Sequence, residues 1–576
     1  MTTAQDRKKI RLGDLLVDAG LITDGQLALA LKEQKLTGKK IGRVLVDMGL
    51  VPENKLLGTL SDHLQIPFIE LRQFQLDANT LKLLDEAVAR RFRCLLLADN
   101  ADGVLLAMAD PLDLMAIDEV EKRLKKPVKP AIVREAELLA TLDSVYRRTG
   151  QIESIAVELE GELRESDFDL ANLADDSDLQ DAPVVRLLQS VLEDAVAINA
   201  SDVHIEPDES VFRIRMRVDG ALQEQVIKEK RVASALVMRL KIMSNLDISE
   251  RRLPQDGRFN IRVSNKSIDV RLSTLPVQYG ESVVMRLLDQ TAGIQPLADL
   301  GMPDAIRQRF ELMIERPYGL ILVTGPTGSG KTTTLYSALN RLNQAQRKII
   351  TAEDPIEYRM SRVNQVQVNP KIELNFANIL RSALRQDPDI ILVGEMRDQE
   401  TVAIGTRAAL TGHLVMSTLH TNDAISSAMR LADMGVESYL IASALRGVLA
   451  QRLMRKVCEH CRQPYQPEAR ERIWLQHLAG GRFVDTPFFH GTGCYHCNNT
   501  GYRGRVGVFE WLELDEAMLV ALRDQDHSAF IAAARRNPDF KPMGDWALEY
   551  ARDGLTDLAE VFKISVDLND LDAERG

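Results

Sequence analysis

Eight consecutive residues, Gly325-Pro326-Thr327-Gly328-Ser329-Gly330-Lys331-Thr332, satisfy every fixed position of the pattern G-x-x-x-x-G-K-[ST]. Their chemistry is the grip of a nucleoside triphosphate. The glycines let successive backbone N–H groups turn inward around phosphate oxygens. The Lys331 ammonium reaches the β- and γ-phosphates, the Thr332 hydroxyl sits on Mg²⁺, and Thr333 completes the candidate nucleotide site. Other groups suited to hydrolysis follow along the chain. Asp389-Ile390-Ile391-Leu392-Val393-Gly394-Glu395 is an apolar run ending in a carboxylate. Glu395 there suits a group that polarises the attacking water or supports Mg²⁺ through its shell. Glu353-Asp354-Pro355-Ile356-Glu357-Tyr358 brings three carboxylates close enough to repel one another unless a cation shares them. His413 and His420 bracket the apolar run Leu414-Val415-Met416, so both are expected at the end of the sheet where nucleotide sits.

A second chemistry lies in the cysteines. Cys458-x-x-Cys461 and Cys494-x-x-Cys497 have the spacing of a four-thiolate zinc site. All four ligands are thiolates and no open position is left, so the expected zinc is structural. Cys94, the fifth cysteine, reads as a small buried apolar residue.

These groups need particular elements to hold them. Leu320-Ile321-Leu322-Val323 reads as a buried strand leading into the phosphate loop, and 333–342 reads as the helix leaving it. The helix N-terminus adds partial positive charge beneath the phosphates. Apolar strands alternate with helices over about 296–455, which predicts a mainly parallel α/β sheet. Upstream, 212–218, 259–263 and 268–272 alternate as strands do, after a helix-like stretch at 184–198. Residues 146–182 are acidic and read as a flexible linker. Residues 64–145 read as a compact mixed region with strands near 94–97 and 104–108.

The N-terminus repeats itself. Arg11-Leu12-Gly13-Asp14-Leu15-Leu16-Val17-Asp18-Ala19-Gly20-Leu21-Ile22 recurs as Lys40-Ile41-Gly42-Arg43-Val44-Leu45-Val46-Asp47-Met48-Gly49-Leu50-Val51. A short helix follows each copy. Thr23 with Gln26 makes a capping box for the first, and Pro52 starts the second. One supersecondary unit used twice is the expectation.

The whole chain bounds the function. Its 576 residues exceed one ordinary core. The balance of 72 basic against 84 acidic residues gives −12 and argues against a protein that coats nucleic acid. No apolar run approaches the roughly 18 residues of a membrane span, and the start lacks a secretory pattern. A cytoplasmic protein that docks on a membrane machine is expected.

The order of phosphate loop, Glu353-to-Glu357 box, Gly394-Glu395-Met396-Arg397-Asp398 and histidine segment resembles the secretion ATPase superfamily, the hexameric motors of type II secretion and type IV pilus assembly. Ala200-Ser201-Asp202-Val203-His204-Ile205-Glu206-Pro207, Arg217-Val218-Asp219-Gly220, Pro254-Gln255-Asp256-Gly257-Arg258 and Ser273-Thr274-Leu275-Pro276 are similar to that family's second N-terminal domain. Gly394 stands where many nucleotidases have aspartate, a departure the family shares. The resemblance implies a RecA-like ATPase core behind an α+β, PAS-like domain, in a multidomain α/β protein. It implies ATP and Mg²⁺ at a composite site, with Lys331, Glu395, Glu357, His413 and His420 at the chemistry and Arg258, Arg271 and Arg286 directed at the phosphates. A forked guanidinium suits that task. The four cysteines resemble the tetracysteine segment of secretion and pilus-extension members, which favours assembly over retraction.

The doubled repeat, over about 11–63, resembles the MshEN domain, an α/β receptor module for cyclic di-GMP. By that resemblance Arg11 stacks on a guanine and pairs a phosphate, and Gly13 and Gly42 allow close backbone approach. Leu12, Leu27, Leu31, Ile41, Leu56 and Leu60 cover the bases, and Gln34 bonds the polar edge. Lys40 replaces the leading arginine in the second copy, and His63 stands where the first has Gln34. Asp110 is a candidate salt-bridge partner for Arg11.

The expected layout is a regulatory MshEN-type domain at 1–145, linker at 146–182, PAS-like domain at 183–295, ATPase domain at 296–455, zinc segment at 456–510 and helical region at 511–576. The leading reading is a homohexameric, ATP-hydrolysing motor for assembly of a pilus like the mannose-sensitive haemagglutinin (MSHA) pilus, gated by cyclic di-GMP and working on an inner-membrane platform protein. One rival is a type II secretion ATPase whose N-terminal domain only docks. Another, of a different class, is a nucleotide-gated scaffold with little turnover.

Overall fold

The computed structural model describes residues 13, 16–17, 19–37, 41–71, 74, 76, 78–81, 83–100, 102–111, 113–145, 149–165, 182–263, 266–291, 293–479, 482–483 and 485–573. It divides into two compact units. One comprises residues 1–152 with the short turn 494–499; the other comprises 153–493 with 500–576.

In the smaller unit the repeat is visible as backbone. Helices Asp24–Thr37 and Glu53–Leu64 each follow a glycine with positive φ, 66° at Gly20 and 68° at Gly49. Gly20 N–H donates to Val17 and Leu21 N–H to Leu16; Gly49 N–H donates to Val46 and Leu50 N–H to Leu45. The capping box forms as expected. Thr23 N–H donates to Gln26 Oε1 at 2.9 Å, and Gln26 N–H donates back to Thr23 Oγ1 at 3.3 Å. Matched positions Leu16 and Leu45, and Ile22 and Val51, meet in one buried cluster. Beyond the repeat, strands Cys94–Asn100, Gly103–Met108 and Val128–Ile132 form a three-stranded mixed sheet. Cys94 is buried in its core, as its lone occurrence suggested.

The larger unit holds two sheets. The first has six antiparallel strands in the order Ala221–Ile227, Phe212–Val218, Asp202–Pro207, Gly280–Asp289, Lys266–Val277, Gln255–Val263. Strict alternation leaves one apolar face, with Val203, Ile205, Ile214 and Met216 buried, and one polar face. Helices Pro183–Ala197 and Arg231–Met243 carry the buried apolar residues that complete this core.

The second sheet has seven strands, ordered Val363–Gln367, Ile349–Glu353, Ile390–Val393, Leu414–Leu419, Gly319–Thr324, Leu445–Val457, Tyr502–Glu513. Six run parallel and the last is antiparallel. Gly319–Thr324 lies between two neighbours and is buried throughout, which is why it reads as an unbroken apolar run. The seventh strand lies beyond the boundary expected near 455, so the chain returns to this sheet after the cysteine segment. Helices between 516 and 573 then pack into the same core through Met518, Phe530, Leu548 and Val561.

The acidic segment differs from expectation. Thr149–Glu165 is a helix, with Ile152, Ile155, Ala156 and Leu159 buried. Their spacing makes one apolar stripe, so the acidic residues occupy the other faces. Residues 166–181 of the expected linker lie outside the described residues.

Candidate nucleotide site and metal cluster

The phosphate loop leaves the C-terminal end of Gly319–Thr324 and enters the helix Lys331–Leu342. Gly325, Gly328 and Gly330 have φ of 145°, 80° and 90°, a region that favours glycine. A side chain at 325 would also strike the Gln451 carbonyl, whose oxygen would be 2.3 Å from its Cβ. Pro326 is half-buried, Thr327 and Gly328 are exposed, and the Ser329 hydroxyl is buried without a hydrogen-bond partner among the described residues. Thr332 and Thr333 are exposed at the start of the helix. Lys331 turns back into the loop, where its ammonium donates to the carbonyls of Gly325 at 2.7 Å and Pro326 at 3.0 Å. Burial pulls its pKa down to about 8, against the opposing attraction of Glu395. A residue the sequence did not mark holds the loop. The buried Gln451 donates to the Ser329 carbonyl at 2.8 Å and accepts from Thr334 Oγ1 at 2.8 Å. It lies in the middle of the strand Leu445–Val457, beside Arg452.

At the same end of the sheet, Glu395 follows strand Ile390–Val393. It pairs with Arg397 and lies 3.4 Å from His420 Nε2. The Arg397 guanidinium, hydrogen-bonded to Glu395, is held charged even more firmly than usual. The Gly394 N–H donates to the Ala352 carbonyl at 2.7 Å. A Cβ at 394 would sit 3.2 Å from that same oxygen, so a side chain there would need a shift of a few tenths of an ångström. His413 does not join this group. Its backbone precedes Leu414–Leu419, and Leu414 is in register with Gly319 while Leu419 is in register with Thr324. The two histidines therefore flank opposite ends of a parallel strand, about 20 Å apart along it. His413 Nδ1 instead lies 2.9 Å from the Ala408 carbonyl, closing the preceding helix. The expectation that both histidines face the nucleotide end is corrected.

The predicted arginines share one row of the antiparallel sheet. Arg258 is in register with Arg271, Arg271 with Arg286, and Arg286 with Asp202. Each meets a carboxylate: Arg258 Asp269 at 3.4 Å, Arg286 Asp202 at 3.0 Å, and Arg271 Glu357 at 2.7 Å. The last contact joins this sheet to the acidic box of the parallel sheet. Glu353, in contrast, is buried beneath Tyr336, Thr351 and Gln365.

The sulfur atoms of Cys458, Cys461, Cys494 and Cys497 all lie within 4.8 Å of one another. Cys494 N–H donates to Cys497 Sγ at 3.2 Å. Four soft, mostly buried sulfurs converging on one point fit a zinc-type ion.

The smaller unit has a cavity of about 910 Å³. Gln34, Ile41, Gly42, Leu56 and Leu60 of the predicted ligand set line it, with Arg91, Arg93 and Asp110. Leu27 packs into the repeat core, and a Cβ on Gly13 would press on it at 2.5 Å. Leu31 and His63 are exposed and outside the cavity lining. Arg11, Leu12 and Lys40 lie outside the described residues.

A family model described as "Type II/IV secretion system protein" matches residues 177–563. The chain belongs to this family. A second model, "MshEN domain", matches 64–152, the stretch that follows the repeat at 11–63 on which the sequence placed the likeness. Among relatives, the chain is 42% identical over 508 residues to the "Type IV pilus assembly ATPase PilB" of Myxococcus xanthus, covering 87% of this chain and 89% of that one. It is 40% identical over 498 residues to the "Type II secretion system ATPase E" of Vibrio cholerae, covering 85% and 98%. The solved Legionella pneumophila ATPase DotB shares the fold, with a TM-score of 0.50 and 23% identity over 66% of this chain and 95% of that one.

As a member of the type II/IV secretion family the chain is an ATPase. Its geometry at the sheet end suits that work. Loop N–H groups, a lysine and a helix N-terminus converge on one side, and Glu395 with His420 stands on the other. Among the described residues no helix is long and apolar enough to cross a membrane.

Proposed function

We propose that this chain is a hexameric ATP-hydrolysing motor for assembly of an MSHA-like type IV pilus, regulated by cyclic di-GMP in its N-terminal unit. It would work in the cytoplasm against an inner-membrane platform protein. The observation that carries the regulatory half is the 910 Å³ cavity, walled by leucines from the second repeat helix and edged by Gln34 and two arginines. Apolar walls suit flat bases, and guanidinium groups suit phosphodiesters. The MshEN match over 64–152 supports the same reading.

In the motor, loop N–H groups 327–331 take the phosphates and Lys331 exchanges two loop carbonyls for β- and γ-oxygens. Glu395, steadied by Arg397 and His420, orients the attacking water and takes its proton. Arg258, Arg271 and Arg286 lie on one row, so closure of the antiparallel sheet onto the loop would bring all three to the γ-phosphate together. Thr332 would hold Mg²⁺, which neutralises phosphate charge when bound. Cys458, Cys461, Cys494 and Cys497 would hold Zn²⁺ as a structural staple.

The similarity to the Vibrio cholerae secretion ATPase, over 98% of that protein, supports a second client reading in which the same motor drives type II secretion. Calorimetric titration of cyclic di-GMP into the full chain separates them. Micromolar or tighter binding, lost in Leu56→Asp and weakened in Gln34→Ala, is expected for the pilus reading. No heat at 100 µM ligand would overturn the regulatory assignment and leave the secretion reading standing.

A further inference from the structure

Tyr336 sits on the phosphate-loop helix, little more than one turn beyond Lys331, and its side chain is buried. Its hydroxyl is the centre of a polar cluster. It bonds the Glu353 carboxylate. It also accepts from the Glu357 N–H at 3.3 Å and from Gln365 Nε2 at 3.4 Å. Gln365 in turn donates to Glu353 at 3.1 Å and to the Tyr358 carbonyl at 2.9 Å. The Tyr336 ring meets Tyr358 edge-on, with centroids 5.9 Å apart. Burial and the adjacent Glu353 carboxylate push the phenol well above its ordinary range, so it stays a donor.

We propose that Tyr336 is a positioning residue for hydrolysis: its hydroxyl ties the phosphate-loop helix to the acidic loop, and so fixes where Glu357 and the Arg271 it holds stand relative to the triphosphate. The chain of contacts is continuous. Lys331 and Tyr336 share one helix, so the hydroxyl moves with the phosphate grip. The hydroxyl holds the Glu357 backbone. The Glu357 carboxylate holds Arg271 through a hydrogen bond from Nη1 to Oε1 at 3.0 Å and an ion-pair contact of Nη2 with Oε2 at 2.7 Å, while Nη2 donates to the Ile356 carbonyl at 3.3 Å. A helix shift of a fraction of an ångström when phosphate binds is therefore passed to an arginine on the other sheet. None of the atoms of Tyr336 need touch ATP. Removing the hydroxyl should leave ATP binding alone and misplace the groups that act in the transition state.

The inference rests on the reading of the phosphate loop and Glu357 as the ATP site. Steady-state ATPase assays on the full chain test both. Tyr336→Phe is expected to lower kcat at least tenfold with KM within about threefold of wild type. In the Tyr336→Phe/Glu357→Gln double variant, kcat is expected within twofold of Glu357→Gln alone, since both act through one path. A Tyr336→Phe kcat within twofold of wild type would overturn the proposal. So would a double variant that loses the product of the two single factors. Should Tyr336→Phe fail to fold, Gln365→Met, which removes the second donor of the cluster, is judged by the same kcat and KM criterion. Lys331→Ala keeps the two failures apart. Full turnover in Lys331→Ala would sink the site reading itself, whereas a dead Lys331→Ala beside a normal Tyr336→Phe sinks only the role of Tyr336.

Discussion

The Arg271 guanidinium donates through Nη1 to Glu357 Oε1 at 3.0 Å and through Nη2 to the Ile356 carbonyl at 3.3 Å, joining the antiparallel sheet to the acidic box of the ATPase sheet. A fork of this kind needs two coplanar donors, which arginine has and lysine lacks. Arg271→Lys keeps the charge and loses the second bond. The expected result is a fall in kcat of roughly 10- to 100-fold, with the fold intact by circular dichroism. Wild-type turnover in Arg271→Lys would show that the pairing has no part in catalysis.

Lys331 gives the site a pH signature. Its pKa near 8 means the ammonium is half deprotonated at about pH 8, close to physiological pH. Bound triphosphate favours the charged form, so the proton lost at high pH must be regained on binding. ATP affinity should hold steady below pH 8 and weaken by up to about tenfold for each further pH unit. Calorimetry at pH 9, in two buffers of different ionisation heat, should register uptake of most of one proton. Lys331→Ala should bind weakly and without that uptake.

Much of this arrangement is legible in the chain, and the exceptions have physical causes. Lys331, Glu395 and the cysteines are local patterns whose neighbours in sequence are also their neighbours in space. The arginine row is not local. Residues 258, 271 and 286 come into line only through strand register, which spacing along the chain does not reveal. The apolar run Leu414 to Met416 suggests a short strand whose flanking histidines share one end of the sheet. The strand Leu414–Leu419 is six residues long, and a parallel strand of that length carries its two ends apart. The helix at 149–165 was hidden by its charge, although Ile152, Ile155, Ala156 and Leu159 keep helical spacing. Gln451 belongs to no motif: its strand also carries Arg446, Arg452, Arg455 and Lys456, and its own partners, Ser329 and Thr334, lie over a hundred positions away.

Gln451 can be tested directly. Gln451→Leu keeps the volume but leaves the Ser329 carbonyl and the Thr334 hydroxyl without their partner in the interior. Each buried group so stranded costs about 1–3 kcal/mol. ATP affinity is expected to drop at least tenfold as the loop loses its fixed shape, alongside a lower thermal midpoint. Unchanged affinity would mean the loop is shaped by its glycines alone.

Glu510 sets a stability trend with pH. It is buried in the last strand, where its carboxylate accepts from the N–H groups of Ala424 at 2.6 Å and Met543 at 2.8 Å. Burial, with a contribution from Asp423, raises its pKa from 4.5 to about 7; the two N–H groups and Arg452 oppose the rise without cancelling it. Below the unfolded value both states hold the proton. Between about 4.5 and 7 only the folded chain does, so this contribution to stability is present at low pH and is lost as pH rises through that window. The loss is on the order of 3 kcal/mol at most. Glu510→Gln cannot ionise and should lack it. Urea midpoints measured at pH 5 and pH 7.5 should therefore shift in favour of the variant as pH rises; parallel trends in the two proteins would refute the assignment.

The cysteine cluster predicts a metal and a cost for its loss. Four sulfurs within 4.8 Å, brought from two separated pairs, would crowd one another as thiolates unless a cation joined them. A zinc ion would supply that cation and would close the segment between Leu445–Val457 and Tyr502–Glu513, the two strands at the edge of the ATPase sheet. The closure acts where the sheet is built: Cys458 directly follows the strand that carries Gln451. Atomic absorption should find one zinc per chain, and about half or less in Cys497→Ser. Chelation should lower the thermal midpoint by roughly 5–10 °C, since metal binding is coupled to folding of its segment. ATP affinity should fall with it, because the strand that anchors the phosphate loop loses its fixed end. Full metal-free stability together with unaltered ATP binding would show that the thiols pack without an ion and that the edge strands hold themselves.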